Sequence, residues 1–165
     1  MPDEFDERPG DLDQPPAFFP YGEEEEDAGD PGRPVEVTVR DIYKGQVGDQ
    51  VTWYVLLDSG EASVPIMIGP FESVAIAMVK EGRAPDRPLT HDLFKTVLLR
   101  LGYVVDRVII DDLVNATYYA KVFLVKGDKE LEIDSRPSDA IALALRFEAP
   151  IYLTQRVIDN AGSEE

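Results

Sequence analysis

The chain has no cysteine, which excludes disulfides, thiolate nucleophiles and thiolate-rich zinc sites and fits a reducing compartment. It has one histidine, His91, so any bound metal must rest on oxygen atoms or on that imidazole. It has no apolar run of about eighteen residues, the length that suggests a membrane span. The opening Met1-Pro2-Asp3-Glu4-Phe5-Asp6 has neither the basic start nor the apolar stretch of a signal peptide. A cytoplasmic protein without membrane association is therefore expected. Basic residues are scarce, 16 against 33 acids for a net charge of −17. Also missing are a glycine-rich phosphate loop, a nucleophile elbow and a paired-histidine metal helix.

What is present divides unevenly. Residues 1–33 hold 12 acids and 2 bases, leaving 14 bases and 21 acids, net −7, for the remainder. That stretch combines repeated Pro and Gly with the run Glu23-Glu24-Glu25-Glu26-Asp27. It cannot bury enough apolar area to offset the entropy of ordering, so a disordered acidic tail is expected. Its aromatic element, Ala17-Phe18-Phe19-Pro20-Tyr21, reads either as a short docking motif or as incidental composition. Residues 34–160 are expected to fold as one domain, followed by a disordered C-terminus over 161–165. A folded part this acidic lacks the broad cationic surface of a plain nucleic-acid-binding module.

Folding begins where a period of two begins, with Val35, Val37 and Val39 alternating with Glu36, Thr38 and Arg40. Further strands are predicted at 51–57 and 62–68 around an Asp58-Ser59-Gly60 turn, and then at about 103–110, 116–125, 130–133 and 151–153. Pro70 and Pro137 mark two helix starts, each followed two residues later by an acid, Glu72 and Asp139. Thr90 is the expected N-cap of another helix, with Leu93, Phe94, Val97, Leu98 and Leu101 on one face and Gly102 at its end. Thr154 is the expected cap of a final turn.

A shift of 67 residues places Gly60, Ile66, Pro70, Ala75, Ala77 and Glu81 on Gly127, Ile133, Pro137, Ala142, Ala144 and Glu148. The expected fold is therefore α+β, with mixed or antiparallel sheets, two pseudo-repeated β-β-β-α units and an inserted amphipathic helix. The helices after Pro70 and Pro137 are apolar almost all round, which predicts cover on two sides and a homo-oligomer, with a dimer favoured.

Candidate chemistry rests on carboxylates, one histidine and one arginine. His91, in a first helical turn, fits a polar helix-start residue bonded to a neighbour, and also a general base whose neutral form the dipole favours. Asp92 fits the same turn without any function. Asp111 and Asp112 follow Val108-Ile109-Ile110, where a strand is expected to enter its turn, and read as turn acids or as metal ligands. Glu72 and Asp139 suit helix starts. Arg136, beside the positive end of a helix, suits an anion.

Four motifs then carry a resemblance: Ile66-Met67-Ile68-Gly69-Pro70-Phe71-Glu72, Arg87-Pro88-Leu89-Thr90-His91-Asp92-Leu93, Ile110-Asp111-Asp112-Leu113 and Arg136-Pro137-Ser138-Asp139-Ala140-Ile141-Ala142-Leu143-Ala144. In this order they resemble the bifunctional nuclease domain family over about residues 35–160. The resemblance implies a compact α+β domain that cleaves DNA and RNA. It implies nucleic acid as partner and a divalent metal, Mg2+ or Mn2+, held by some of Glu72, Asp92, Asp111, Asp112 and Asp139. His91 would be acid or base, and Arg136 would hold a phosphate oxygen. The competing expectation is a non-catalytic oligomeric binding or regulatory module.

Overall fold

The period-two pattern that starts at Val35 yields a longer strand than expected. In the computed structural model, which describes residues 32–162, β1 (Pro34–Val47) passes beyond Arg40 and turns at Gly48-Asp49 into β2 (Gln50–Asp58) and then β3 (Ser63–Ile68). Helices α1 (Pro70–Lys80) and α2 (Thr90–Leu101) follow. A second antiparallel meander comes next, β4 (Val104–Val114), β5 (Thr117–Lys126) and β6 (Lys129–Ser135). Helix α3 (Pro137–Phe147), the short strand β7 (Ile151–Thr154) and α4 (Gln155–Ala161) complete the described residues. The acidic tail expected over 1–33 lies almost wholly outside them, and so do residues 163–165.

The strands form one mixed sheet in the order β3-β2-β1-β7-β4-β5-β6. Its centre is β7, antiparallel to the first residues of β1 and parallel to β4. β1 serves two neighbours in turn: Pro34–Val37 pairs with β7, and from Thr38 onward it pairs with β2, with a bulge between Val39 and Asp41. The two meanders thus flank β7, each followed by its helix. Helices α1 and α3 share the 67-residue offset in their bounds, and Gly60 and Gly127 in the matching turns both have positive φ.

Packing separates the three larger helices. In α3, Ala140, Ile141, Ala142, Leu143 and Ala144 are all buried, because small alanines let the helix lie close to α1 and α2 as well as to β4 and β5. Two-sided cover, expected from its sequence, is what α3 has. Helix α1 differs: Ser73, Ala75 and Ile76 are buried, but Phe71 is 86% exposed and Val74 is half exposed. Helix α2 differs further, since Leu98 is its one buried residue and Leu93, Phe94, Val97 and Leu101 remain exposed. Its apolar stripe therefore does not face the core, contrary to the simplest reading of its period. The core lies instead between α3 and the alternating inward residues of the sheet, such as Val55, Leu57 and Ile66 on one side and Val108, Ile110 and Val122 on the other. Each such aliphatic side chain contributes roughly 1.5–3 kcal/mol of transfer free energy. No described helix is long and apolar enough to cross a membrane.

Candidate active site

Helix starts bring the polar residues together. At α1 the N-cap is Gly69, with Pro70 in the first turn and Glu72 behind it. A β-carbon on residue 69 would collide with the Glu72 carboxylate, so glycine leaves the room in which that carboxylate folds back over the helix end. At α3 the N-cap is Arg136, followed by Pro137 and Asp139. At α2 the cap is Leu89, one residue before the expected Thr90, because the Asp92 carboxylate reaches back to accept from the Leu89 N–H at 2.9 Å. That puts His91 second in the helix.

These three starts meet in a line of side chains. His91 Nε2 lies 2.9 Å from Asp139 Oδ1, with the imidazole only 14% exposed. Arg136 donates through Nε to Asp139 Oδ2 at 2.7 Å and pairs through Nη1 with Glu72 Oε1 at 3.0 Å. The hydrogen bond from His91, aided by Arg136 and opposed by burial, holds the Asp139 carboxyl down to about 2. Asp139 is thus an ionised acceptor at neutral pH. Its partner nitrogen, Nε2, must carry the proton, so a neutral His91 keeps its lone pair on Nδ1. The bond to Asp139 in turn raises the Arg136 guanidinium above its ordinary value. Arg136 remains 65% exposed, and its Nη2 makes neither of these bonds.

Helix α3 grips α2 a second time, two turns further on. Arg146, 4% exposed at its side chain, donates through Nε to Asp92 Oδ1 at 2.7 Å and through Nη1 to the carbonyls of Ala75 and Ala142. Burial pushes the Asp92 carboxyl up, and the bonds from Arg146 and Leu89 outweigh it, leaving it below its usual range. Asp92, a candidate for chemistry, therefore caps α2 and neutralises a buried cation. Arg146 was not singled out from sequence, although the signal was there: a lone cation in a buried apolar helix, seven residues from Asp139 and so on the same face.

Asp111 and Asp112 do not join this line. The structure corrects their placement, since they lie within β4, and the hairpin turn is made by Asn115 and Ala116, both at positive φ. A bulge falls between Ile110 and Asp112. Asp111 pairs with Lys121 at 3.5 Å, and Asp112 pairs with Arg156 of α4 at 3.2 Å. Burial pushes the Asp111 carboxyl up, against the pull of Lys121. Thr154 is the N-cap of α4, as expected, but its hydroxyl donates to the Asp111 carbonyl rather than to the helix. Among the described residues no three acidic or histidine side chains are grouped so as to hold a metal ion. At the helix starts both carboxylate oxygens of Asp139 and Oε1 of Glu72 are engaged by His91 and Arg136, so as paired here this donor set does not fit a metal.

Two pockets flank the His91–Asp139–Arg136 line. One, of about 550 Å3, has Leu93, Phe94 and Val97 of α2 on one wall and Val122, Leu124 and Ile133 of the sheet on the other, with the polar line among its lining. The second, of about 600 Å3, is bounded by Phe71, Val74 and Glu72 of α1. The arrangement is a largely buried imidazole oriented by an ionised carboxylate, beside an exposed guanidinium and open to two apolar-walled clefts. It can move a proton and hold an anion at one place.

The chain itself falls in a recognised class. The bifunctional nuclease domain family matches residues 55–165, and the chain belongs to that family. It is similar to an uncharacterized protein of Mycobacterium tuberculosis, 38% identical over 127 residues that cover 77% of this chain and 76% of that protein. It is also similar to Bifunctional nuclease 1 of Oryza sativa subsp. japonica, 33% identical over 64% of this chain and 33% of the rice protein. Bifunctional nuclease 2 of Arabidopsis thaliana is 32% identical over 59% of this chain and 33% of its own length. The chain therefore spans about a third of the plant relatives.

Proposed function

We propose that this domain hydrolyses phosphodiester bonds in DNA and RNA, with His91 moving the proton and Arg136 holding the phosphate. The observation that carries the reading is the 2.9 Å contact between His91 and the ionised Asp139 at the edge of an open pocket. Asp139 is a positioning residue that fixes the tautomer and stabilises the imidazolium as it forms. Nδ1 of His91 takes a proton from water as its oxygen bonds to phosphorus. The P–O bond to the leaving group breaks, and the departing alkoxide takes a proton back from the imidazolium. Arg136 neutralises charge gathering on the non-bridging oxygens. Glu72 holds Arg136 from the other side. Family membership and the plant nuclease relatives support the substrate class.

The resemblance also implies a divalent metal, Mg2+ or Mn2+; the described residues hold no grouped donor set for one, and the proton steps above use protein groups alone. The experiment is cleavage of DNA and RNA by highly purified protein, with and without chelator, beside His91→Ala. Cleavage that survives unchanged in His91→Ala overturns the assignment, and loss on chelation brings a metal into it. The exposed Phe71 and Val74 of α1 favour a second element of the proposal, a homodimer closed over that face, in the cytoplasm. An oligomeric regulatory module without catalysis is the reading that remains if sedimentation shows the dimer and no cleavage is found.

A further inference from the structure

We infer that the pocket beside His91 takes an unpaired nucleobase, so that the substrate class is single-stranded nucleic acid, with one phosphate on Arg136 and its base between α2 and the sheet. The inference rests on the nuclease reading and deepens it. Charge is the first argument. Proteins that bind duplexes through the backbone neutralise several phosphates, with roughly 6–10 contacts in strong cases. Here residues 34–165 carry net −7, and Arg136 is the one cation lining the two pockets that flank the site. A single guanidinium holds one phosphate, and the rest of the affinity must come from apolar contact.

The pocket supplies that contact. Its volume of about 550 Å3 falls within the range of small-molecule sites, roughly 300–1,000 Å3. Its apolar walls are aliphatic apart from Phe94, which is 44% exposed and offers a stacking face, while Thr90, Asp134 and Ser135 join the polar line in its lining. Because His91, Asp139 and Arg136 line the same pocket, an occupant must place a flat apolar body within one residue's reach of an anion. A nucleotide does both. A base paired and stacked within a duplex cannot enter the pocket without being flipped out, whereas single strands present bases already free. The same argument explains why α2 keeps its apolar stripe outside the core: the stripe forms a wall of the site.

The test is binding by the full chain, measured as fluorescence anisotropy of one short labelled oligodeoxynucleotide offered as a single strand, as its duplex and as an abasic strand. The single strand should bind at least about tenfold tighter than either of the others, and Phe94→Ala should remove about tenfold of that affinity. Phe94→Trp should restore it. Should Phe94→Ala unfold, Ile133→Asn on the opposite wall should weaken single-strand binding instead. Equal binding of the three probes, no binding of any, or indifference to both variants overturns the inference. A dimer that Phe94→Asp dissociates would give this wall to a second copy and overturn it too. A single strand bound in a Phe94-dependent way but never cut leaves the pocket standing and removes hydrolysis. Equal cutting of duplex and single strand without Phe94 dependence does the reverse.

Discussion

The line at the helix starts and the acid pair on β4 are built from the same residue types, yet Asp139 in the one and Asp111 in the other are shifted in opposite directions. Asp139 sits where α3 begins, receives hydrogen bonds from His91 and Arg136, and is held down to about 2. Asp111 sits inside a strand, where burial is the larger influence and pushes its carboxyl up despite Lys121. Asp112 is taken by Arg156. A carboxylate at a helix start meets donors that converge from other helix ends, whereas on a strand neighbouring side chains diverge and each finds its own cation. Convergence, rather than acidity, separates a candidate site from a structural ion pair.

The comparison breaks first on activity. Asp139→Asn keeps the shape but removes the charge that fixes the imidazole, and cleavage should fall about a thousandfold. Asp111→Asn and Asp112→Asn should change it by no more than about threefold. A loss near a hundredfold in either would return those acids to the site as metal ligands.

Next comes stability. Arg146→Met strands the Asp92 carboxylate and leaves the Ala75 and Ala142 carbonyls without this donor, for a cost of about 3–5 kcal/mol by chemical denaturation. Arg156→Met, which breaks the more exposed pair with Asp112, should cost under about 1 kcal/mol. Equal losses would erase the distinction between the two regions.

Acid should sharpen the contrast by a smaller amount. With a folded value of about 2 against 3.8, Asp139 stabilises the fold above about pH 4, and that contribution, on the order of 2 kcal/mol, is lost as the pH falls toward about 2. Asp92, also lowered, acts in the same sense. Asp111 acts in the opposite sense, because its raised carboxyl is a burden when ionised and is relieved on protonation. Denaturant midpoints across this range should fall steeply with acid in the native chain and less steeply in Asp139→Asn. An unchanged slope would show that His91 and Arg136 do not stabilise the ionised form.

Much of the fold was legible because its signals are local. Pro70 and Pro137 open helices where expected, Gly102 closes α2 at φ 82°, and alternation marks the strands. The misplacements have local causes too. Thr90 resembles a cap, yet the reach of Asp92 to the Leu89 N–H moves the helix start back one residue. Asp111-Asp112 resembles a turn, yet the strand runs on past a bulge there to the buried Leu113, and Asn115-Ala116 takes the left-handed positions. Arg146 was hidden because a cation in a last helical turn already has an explanation in the dipole. Of the candidate site, His91, Arg136, Asp139 and Glu72 were all named from sequence, but nothing local distinguished them from Asp92, Asp111 and Asp112.

Sequence alone determined the elements, the α+β class and the resemblance to a nuclease family, since periodicity, caps and motifs act over a few residues. Tertiary structure decided which charges meet. His91 and Asp139 are 48 positions apart and Asp92 and Arg146 are 54 apart, and only the packing of α1, α2 and α3 around one sheet brings those ends within hydrogen-bond distance. It also decided that the apolar stripe of α2 faces outward. A period of 3.6 shows that a helix has an apolar face but does not say what that face is against.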